Sequence, residues 1–326
     1  MSSSDSNKLR QVSREEISHD HNHDGVNRRG FLKCMAWAGT GALCVMQGGV
    51  LKSFALPEAA NMKVKGELSF VQISDSHMGF NKPANPDVTG TFQTAIDRIK
   101  ALNDPPEFIL HTGDITHLSK PEQFDTVSQM LQQTGKQVFY VPGEHDFLDD
   151  NGKDYLDRFG RNAHGAGWHS FDQKGVHFIG LVNVVDLKAG GLGVLGHEQL
   201  EWLEDDVKHL SHSTPIVVFA HIPLWAVYPE WGWGTEDSAQ ALSCLKNFGS
   251  VTVLNGHIHQ TMQKVEGNVT FHTACSTAFP QPQPGAPQGP GPMKVPAEQL
   301  RSVLGITDVN YVRGKHALAV TDSTLA

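Results

Sequence analysis

Five short apolar runs in this chain each lead into residues that bind metals, and that repetition restricts the fold more than any other feature. The runs are Phe70 to Ile73, Phe108 to Leu110, Val138 to Val141, Ile216 to Phe219 and Val251 to Leu254. They lead into Asp75-Ser76-His77, Gly113-Asp114, Gly143-Glu144-His145-Asp146, His221 and Gly256-His257-Ile258-His259. Short apolar runs bounded by Gly and polar residues read as buried strands. Strands that deliver Asp or His at their C-terminal ends converge on one edge of a sheet. That edge collects five imidazoles and four carboxylates, a set that suits two metal ions better than one.

Between these strands lie amphipathic stretches with helical spacing: Thr91 to Leu102, Lys120 to Thr134, His197 to Leu210 and Asp237 to Phe248. The second has the clearest start, with Ser119 as the expected cap, Glu122 completing a capping box and Pro121 in the first turn. Strands alternating with helices predict an α/β fold with the sheet covered by helices. From Val176 onward the strands lie closer together, which suggests a second sheet packed on the first. Residues 279–296 hold seven prolines and three glycines and read as a surface loop. Residues 297–326 predict a short helix and one or two edge strands.

The N-terminal 55 residues read differently. Arg28-Arg29-Gly30-Phe31-Leu32-Lys33 resembles a twin-arginine export signal, and the run from Cys34 to Leu51 holds four glycines and Gln47, too polar for a bilayer core. Ser53-Phe54-Ala55 offers small residues at a cleavage spacing. The expected organisation is therefore a signal and leader over 1–55 and one domain over 56–326, with its core at about 68–275. The expected location is the periplasm, reached through the twin-arginine machinery, without stable membrane insertion after cleavage. The full chain carries a net charge of −9, and the leader holds seven basic against five acidic residues, so the remainder is more acidic still. That balance disfavours a nucleic acid or an anionic membrane as partner. Beyond the leader only Cys244 and Cys275 remain, and a disulfide or two separate thiols are both compatible with the sequence.

Taken singly, Asp-x-His or Gly-Asp is weak. The joint order of the five motifs, each after a strand, resembles that of the calcineurin-like metallophosphoesterases over residues 68 to 275. The resemblance implies a four-layer α/β/β/α sandwich with a dinuclear metal site at the strand ends. It implies that Asp75, His77 and His259 hold one metal, that His221 and His257 hold the second, and that Asp114 bridges both, one oxygen to each. His145 would act on the substrate or its leaving oxygen, with Asp146 placed to hold its ring. Glu144 stands where the family has a neutral Asn ligand, so it is either a charged ligand, a displaced base or a mark of a degraded site. The implied reaction is direct hydrolysis of a small phosphodiester or phosphomonoester by water activated between two ions of iron, manganese or zinc. The extra negative charge of Glu144 favours the diester. A metal-binding or sensing protein without turnover is the alternative.

Other candidates are weaker. His117, three residues after Asp114, is best placed to support the site. The aromatic stretch Leu224 to Trp233 either stacks on a planar group of the substrate or packs a cluster of its own.

Overall fold

The computed structural model describes residues 42–47, 50–55, 67–185, 187–188, 190–312 and 318–326. Arg28 and Arg29, and with them the core of the expected export signal, lie outside the described residues. Ala42–Gln47 (β1) and Val50–Ala55 (β2) pair as an antiparallel hairpin in a unit separate from the remainder. No described helix is long and apolar enough to cross a membrane.

The main unit contains two mixed sheets. The first has Leu68–Ile73 (β3), Phe108–His111 (β4) and Gln137–Tyr140 (β5) running parallel, followed on the other side of β3 by Gly305–Tyr311 (β12) and Ala319–Thr324 (β13). Both of those C-terminal pairings, β12 with β3 and β13 with β12, are antiparallel. The second sheet has the order Met262–Glu266 (β10), Val269–Thr273 (β11), Val251–Asn255 (β9), Ile216–Phe219 (β8), Val176–Gly180 (β7) and His169–Gln173 (β6). Its four central strands are parallel and its two edges antiparallel.

Period-two alternation explains how the layers form. Along β3, Leu68 and Phe70 face one way and Val71 and Ile73 the other; along β8, Val217 and Phe219 oppose Ile216 and Val218. Phe70, Phe108 and Leu110 of the first sheet meet Phe178, Val217, Phe219 and Leu254 of the second in an apolar inter-sheet core. The outer face of the first sheet is covered by Val88–Lys100 (α1), Pro121–Gln132 (α2) and Lys153–Phe159 (α3), which contribute Phe92, Ile96, Phe124 and Tyr155. The outer face of the second is covered by His197–Val207 (α4) and Ser238–Leu245 (α5), through Leu203, Val207, Ala241 and Leu245. The result is the α/β/β/α sandwich.

Three local expectations change. Helix α1 starts three residues earlier than its apolar spacing suggests, because the Asp87 carboxylate accepts a hydrogen bond from Gly90 N at 2.9 Å and caps it. Ser119 does not cap α2: the cap position is Lys120, without a side-chain bond, and Ser119 Oγ donates to His145 O at 2.7 Å and accepts from Leu148 N at 2.8 Å. Of the one or two C-terminal edge strands expected, one is an edge, β13. β12 follows the short helix Leu300–Val303 (α6) and lies beside β3, inside the first sheet. Cys244 and Cys275 are separate free thiols.

His177 on β7 links the β6–β7 hairpin to α4. Its Nδ1 lies 2.9 Å from Asp172 Oδ1 and its Nε2 2.9 Å from Asp206 Oδ2. Burial opposes the charged ring, but these two carboxylates outweigh it and raise the pKa. A folded pKa above the unfolded one means the contribution is full below the unfolded value and fades as pH rises through the folded one. His177→Gln should therefore lower the melting temperature more at about pH 6 than at about pH 9, either side of the imidazole range. Equal losses at both pH values would show that the pair holds no charge.

Candidate metal centre

The five motif loops do meet, but across both sheets and not along one. Asp75 and His77 follow β3, Asp114 follows β4, and Glu144, His145 and Asp146 form a 3-10 turn after β5. His221 follows β8, and His257 and His259 follow β9 of the second sheet. The cluster therefore straddles the C-terminal ends of the two parallel cores.

Two groups of side chains present converging donor atoms. In one, His259 Nε2 lies 3.2 Å from Asp75 Oδ1 and 3.2 Å from His77 Nε2. In the other, Glu144 Oε2 lies 3.0 Å from His221 Nε2, and Glu144 Oε1 lies 3.1 Å from His257 Nδ1. Asp114 stands between them, with Oδ2 3.4 Å from both His77 Nε2 and His221 Nε2. Its other oxygen accepts from His145 N at 3.0 Å. So a single oxygen of Asp114 faces both groups, where one oxygen for each was expected.

Backbone carbonyls aim three of the rings. His221 Nδ1 donates to Thr112 O at 2.7 Å, His259 Nδ1 to Phe279 O at 2.6 Å and His145 Nδ1 to His117 O at 2.8 Å. Each bond leaves the Nε2 lone pair free, the orientation that a metal-binding imidazole needs. His221 Nε2 and Glu144 Oε2 are buried, and although close they lack hydrogen-bond geometry with any partner. Two buried unsatisfied atoms facing a cluster of carboxylates and imidazoles fit a cation.

The electrostatics agree. Burial pushes the Asp75 carboxyl up, yet the charges of His259 and His221 prevail and hold it at about 2. Burial likewise opposes ionised Glu144, and His257 and His221 keep its pKa well below the usual range. His221 shows the reverse: burial disfavours its charge, but Asp114 and Glu144 raise its pKa well above normal.

The local backbone is strained where the donors sit. Asp75, His77, Asp114, His257 and His259 all have φ between 40° and 69°, a region costly for residues with a Cβ. Gly113, at φ 94°, is in the same region. Gly143 and Gly256 are there for space, not for turn geometry: a Cβ would come within 2.1 Å of Asp114 Oδ1 or 2.0 Å of Ser74 Oγ.

Asp146 does not hold the His145 ring. Its carboxylate, fully buried, accepts from Ile115 N, Thr116 N, Thr116 Oγ1 and Gly143 N at 2.8–3.0 Å. It ties the β4 loop to the β5 loop. Burial and the Asp114 charge push its pKa up to about 6, against the pull of those backbone donors. The ring of His145 is held by His117 instead, through the carbonyl already described and by stacking at 4.8 Å between ring centroids.

Several supporting residues carried no signal in the motifs. Ser276 Oγ donates to Asp75 O at 2.7 Å, and Gln281 Nε2 donates to His257 O at 2.8 Å. Phe279 packs its ring 4.7 Å from both His77 and His259. The aromatic stretch packs a cluster of its own: Trp225 lies on Phe271, and buried Trp233 meets Trp231 edge-on.

The two-sheet sandwich thus brings two candidate metal-binding groups of Asp, Glu and His together at its strand ends. The family profile of the calcineurin-like phosphoesterases matches residues 68–261, and the chain belongs to that family. It is 25% identical over 226 residues to a 3′,5′-cyclic-nucleotide phosphodiesterase of Nostoc sp., covering 67% of this chain and 81% of that protein. It is 26% identical over 204 residues to a 3′,5′-cyclic adenosine monophosphate phosphodiesterase of Haemophilus influenzae, covering 60% and 71%. Among solved structures, a dimetal phosphatase from Danio rerio superposes with a TM-score of 0.62 at 12% identity, over 80% of this chain and 98% of that one. At that identity the likeness speaks for the fold alone.

The reassignment of Asp146 gives a direct test. Each Asp146 oxygen accepts from two donors, so Asp146→Asn would set an NH2 group against two of the four and leave them unpaired at roughly 1–3 kcal/mol each. The metal-free variant should lose roughly 2 kcal/mol or more in urea unfolding. Unchanged stability with lost turnover would return Asp146 to a role in the chemistry.

Proposed function

We propose that the chain hydrolyses small phosphodiesters with two cations held between its sheets. Asp75, His77 and His259 hold one and Glu144, His221 and His257 the other, with Asp114 Oδ2 directed at both. The observation that carries this reading is the pair of donor groups, each with ligand atoms within 4.8 Å of one another and one ring aimed by a backbone carbonyl, with Asp114 Oδ2 3.4 Å from a ring of each. When bound, the ions would neutralise the phosphoryl oxygens and acidify a coordinated water.

The chain's own residues account for the remaining steps. His145 is anchored at its backbone N by Asp114 and at Nδ1 by the His117 carbonyl, so its Nε2 is its only free nitrogen. That free Nε2 is placed to protonate a departing alkoxide. Strained, carbonyl-held ligands need little rearrangement on binding. Protein with both cations restored should hydrolyse bis(p-nitrophenyl) phosphate. His145→Ala should keep both cations and lose roughly two to four orders of magnitude in kcat, the scale of acid–base catalysis. Loss of a cation in that variant would make His145 a ligand.

Preference for diesters rests on Glu144. Both of its oxygens face imidazole nitrogens of the second group, so its charge lies within the cluster. A diester brings about one negative charge and a monoester nearly two at neutral pH. Repulsion therefore weighs more on the monoester, and the phosphodiesterase names of the two bacterial relatives support the same choice. Glu144→Asn, with metal content matched, should shift the kcat/KM ratio toward p-nitrophenyl phosphate and move the activating limb of the pH profile to lower pH. An unchanged ratio and profile would remove Glu144 from the second group.

A further inference from the structure

Main-chain carbonyls aim three rings of the centre, but His77 is not among them. Its Nε2 faces the first donor group, 3.2 Å from His259 Nε2 and 3.4 Å from Asp114 Oδ2. A cation held at Nε2 leaves the single proton of the neutral ring on Nδ1, and that buried N–H needs an acceptor. Among the described residues, the hydrogen-bonding partner that His77 Nδ1 meets is Nδ1 of His117, at 3.5 Å.

The backbone builds this pairing in. Beyond the ends of β3 and β4 the two loops stay joined: His77 N donates to Asp114 O at 2.9 Å, Met78 N to Ile115 O at 3.1 Å and His117 N to Met78 O at 2.9 Å. Aromatic rings then enclose the two imidazoles. Phe279 stacks on His77 at 4.7 Å, and Phe80 meets His117 edge-on at 5.1 Å and Phe279 at 4.3 Å. The His145 ring lies edge-on to His77 at 4.7 Å and nearly parallel to His117. His77 is buried, so water competes little for its Nδ1.

We infer that the His117 imidazole is the positioning residue of His77: its Nδ1 accepts the His77 Nδ1 proton and so fixes the ring whose Nε2 faces the first cation. The inference rests on the two-cation reading. It gives His117 two separate parts, since its carbonyl orients His145 while its ring orients His77. A neutral acceptor also adds no charge to a cluster that already holds Asp75, Asp114 and Glu144. At 3.5 Å the bond is longer than the 2.6–2.8 Å bonds to carbonyls. Its effect therefore belongs at the low end of the roughly tenfold to hundredfold range that such partners carry in metal affinity.

Two variants isolate the ring nitrogen. His117→Phe removes both nitrogens, keeps a ring against His145 and Phe80, and keeps the backbone carbonyl. His117→Asn returns an acceptor oxygen at the place of Nδ1. Zinc binding to the full chain, measured by competition with a chelating indicator, reads the affinities without any substrate, and His77→Ala identifies the step that belongs to the first group. His117→Phe should weaken that step about tenfold and leave the other unchanged, while His117→Asn should stay within about threefold of the native protein. In the His77→Ala background His117→Phe should have no further effect. Equal weakening of both steps, a loss in His117→Asn as large as in His117→Phe, or an additive loss in the His77→Ala background would reduce the ring to general packing and overturn the inference. A third bound zinc ion that disappears in His117→Phe would make His117 a ligand and overturn it too. Zinc affinity that does not depend on His77 would overturn the two-cation reading and the assignment with it. Dependence on His77 with none on His117 overturns the assignment alone.

Discussion

The position of the Asp114 carboxylate is the constraint on which the rest of the site depends. One oxygen is tied to the backbone of the β5 loop at His145, and the other faces a ring from β3 and a ring from β8 at 3.4 Å each. That single side chain connects loops from three strands and joins the two sheets electrostatically at their ends. It can do so only because Gly143 leaves room for it and because its own backbone adopts φ 49°. The surrounding structure must hold this conformation against its intrinsic cost, of order 1–3 kcal/mol per residue. The inter-sheet core of packed Phe side chains and the Asp146 clamp beneath supply the rigidity.

Much of this was legible in the sequence because chemistry and topology coincide. A strand whose C-terminal end faces a site must stop at residues that tolerate unusual backbone and carry donor atoms. Asp, His and Gly after apolar runs therefore mark both the strand end and the site. Four helices were legible from period alone, with errors confined to their ends, whereas the two-turn helix Lys153–Phe159 went unread. What stayed hidden depended on contacts distant in sequence. Nothing in Asp308 and Asn310 announces that β12 lies beside β3, since alternating polar residues read as an edge. Ser119 carries every local mark of a helix cap, but the His145 loop takes its hydroxyl. Asp146 next to His145 suggested a ring partner, while the turn directs the two side chains to different elements.

The residues that orient the donor groups divide into two kinds. Main-chain carbonyls of Thr112, His117 and Phe279 can be supplied by any amino acid, so no motif records them. Side chains such as Ser276 and Gln281 are specific, but they lie outside the matched family region at residues 68–261. The candidate ligands lie inside the matched region, whereas part of what holds them belongs to this chain's C-terminal segment.

That segment explains how a low-complexity stretch can be well placed. Prolines cannot join a sheet ladder, and the composition alone reads as loop. The stretch is nevertheless fixed at both ends: Phe279 packs against His77, His259 and Phe80, and Met293 N returns to Pro280 O. Between those anchors the chain has restricted φ values and few donors to satisfy, so it can stand beside the metal centre without a strand or helix to support it. Proline restricts the unfolded chain as well, so ordering this segment costs less on folding than a flexible loop of the same length would, and the bonds from Gln260 and Gln281 hold it in place.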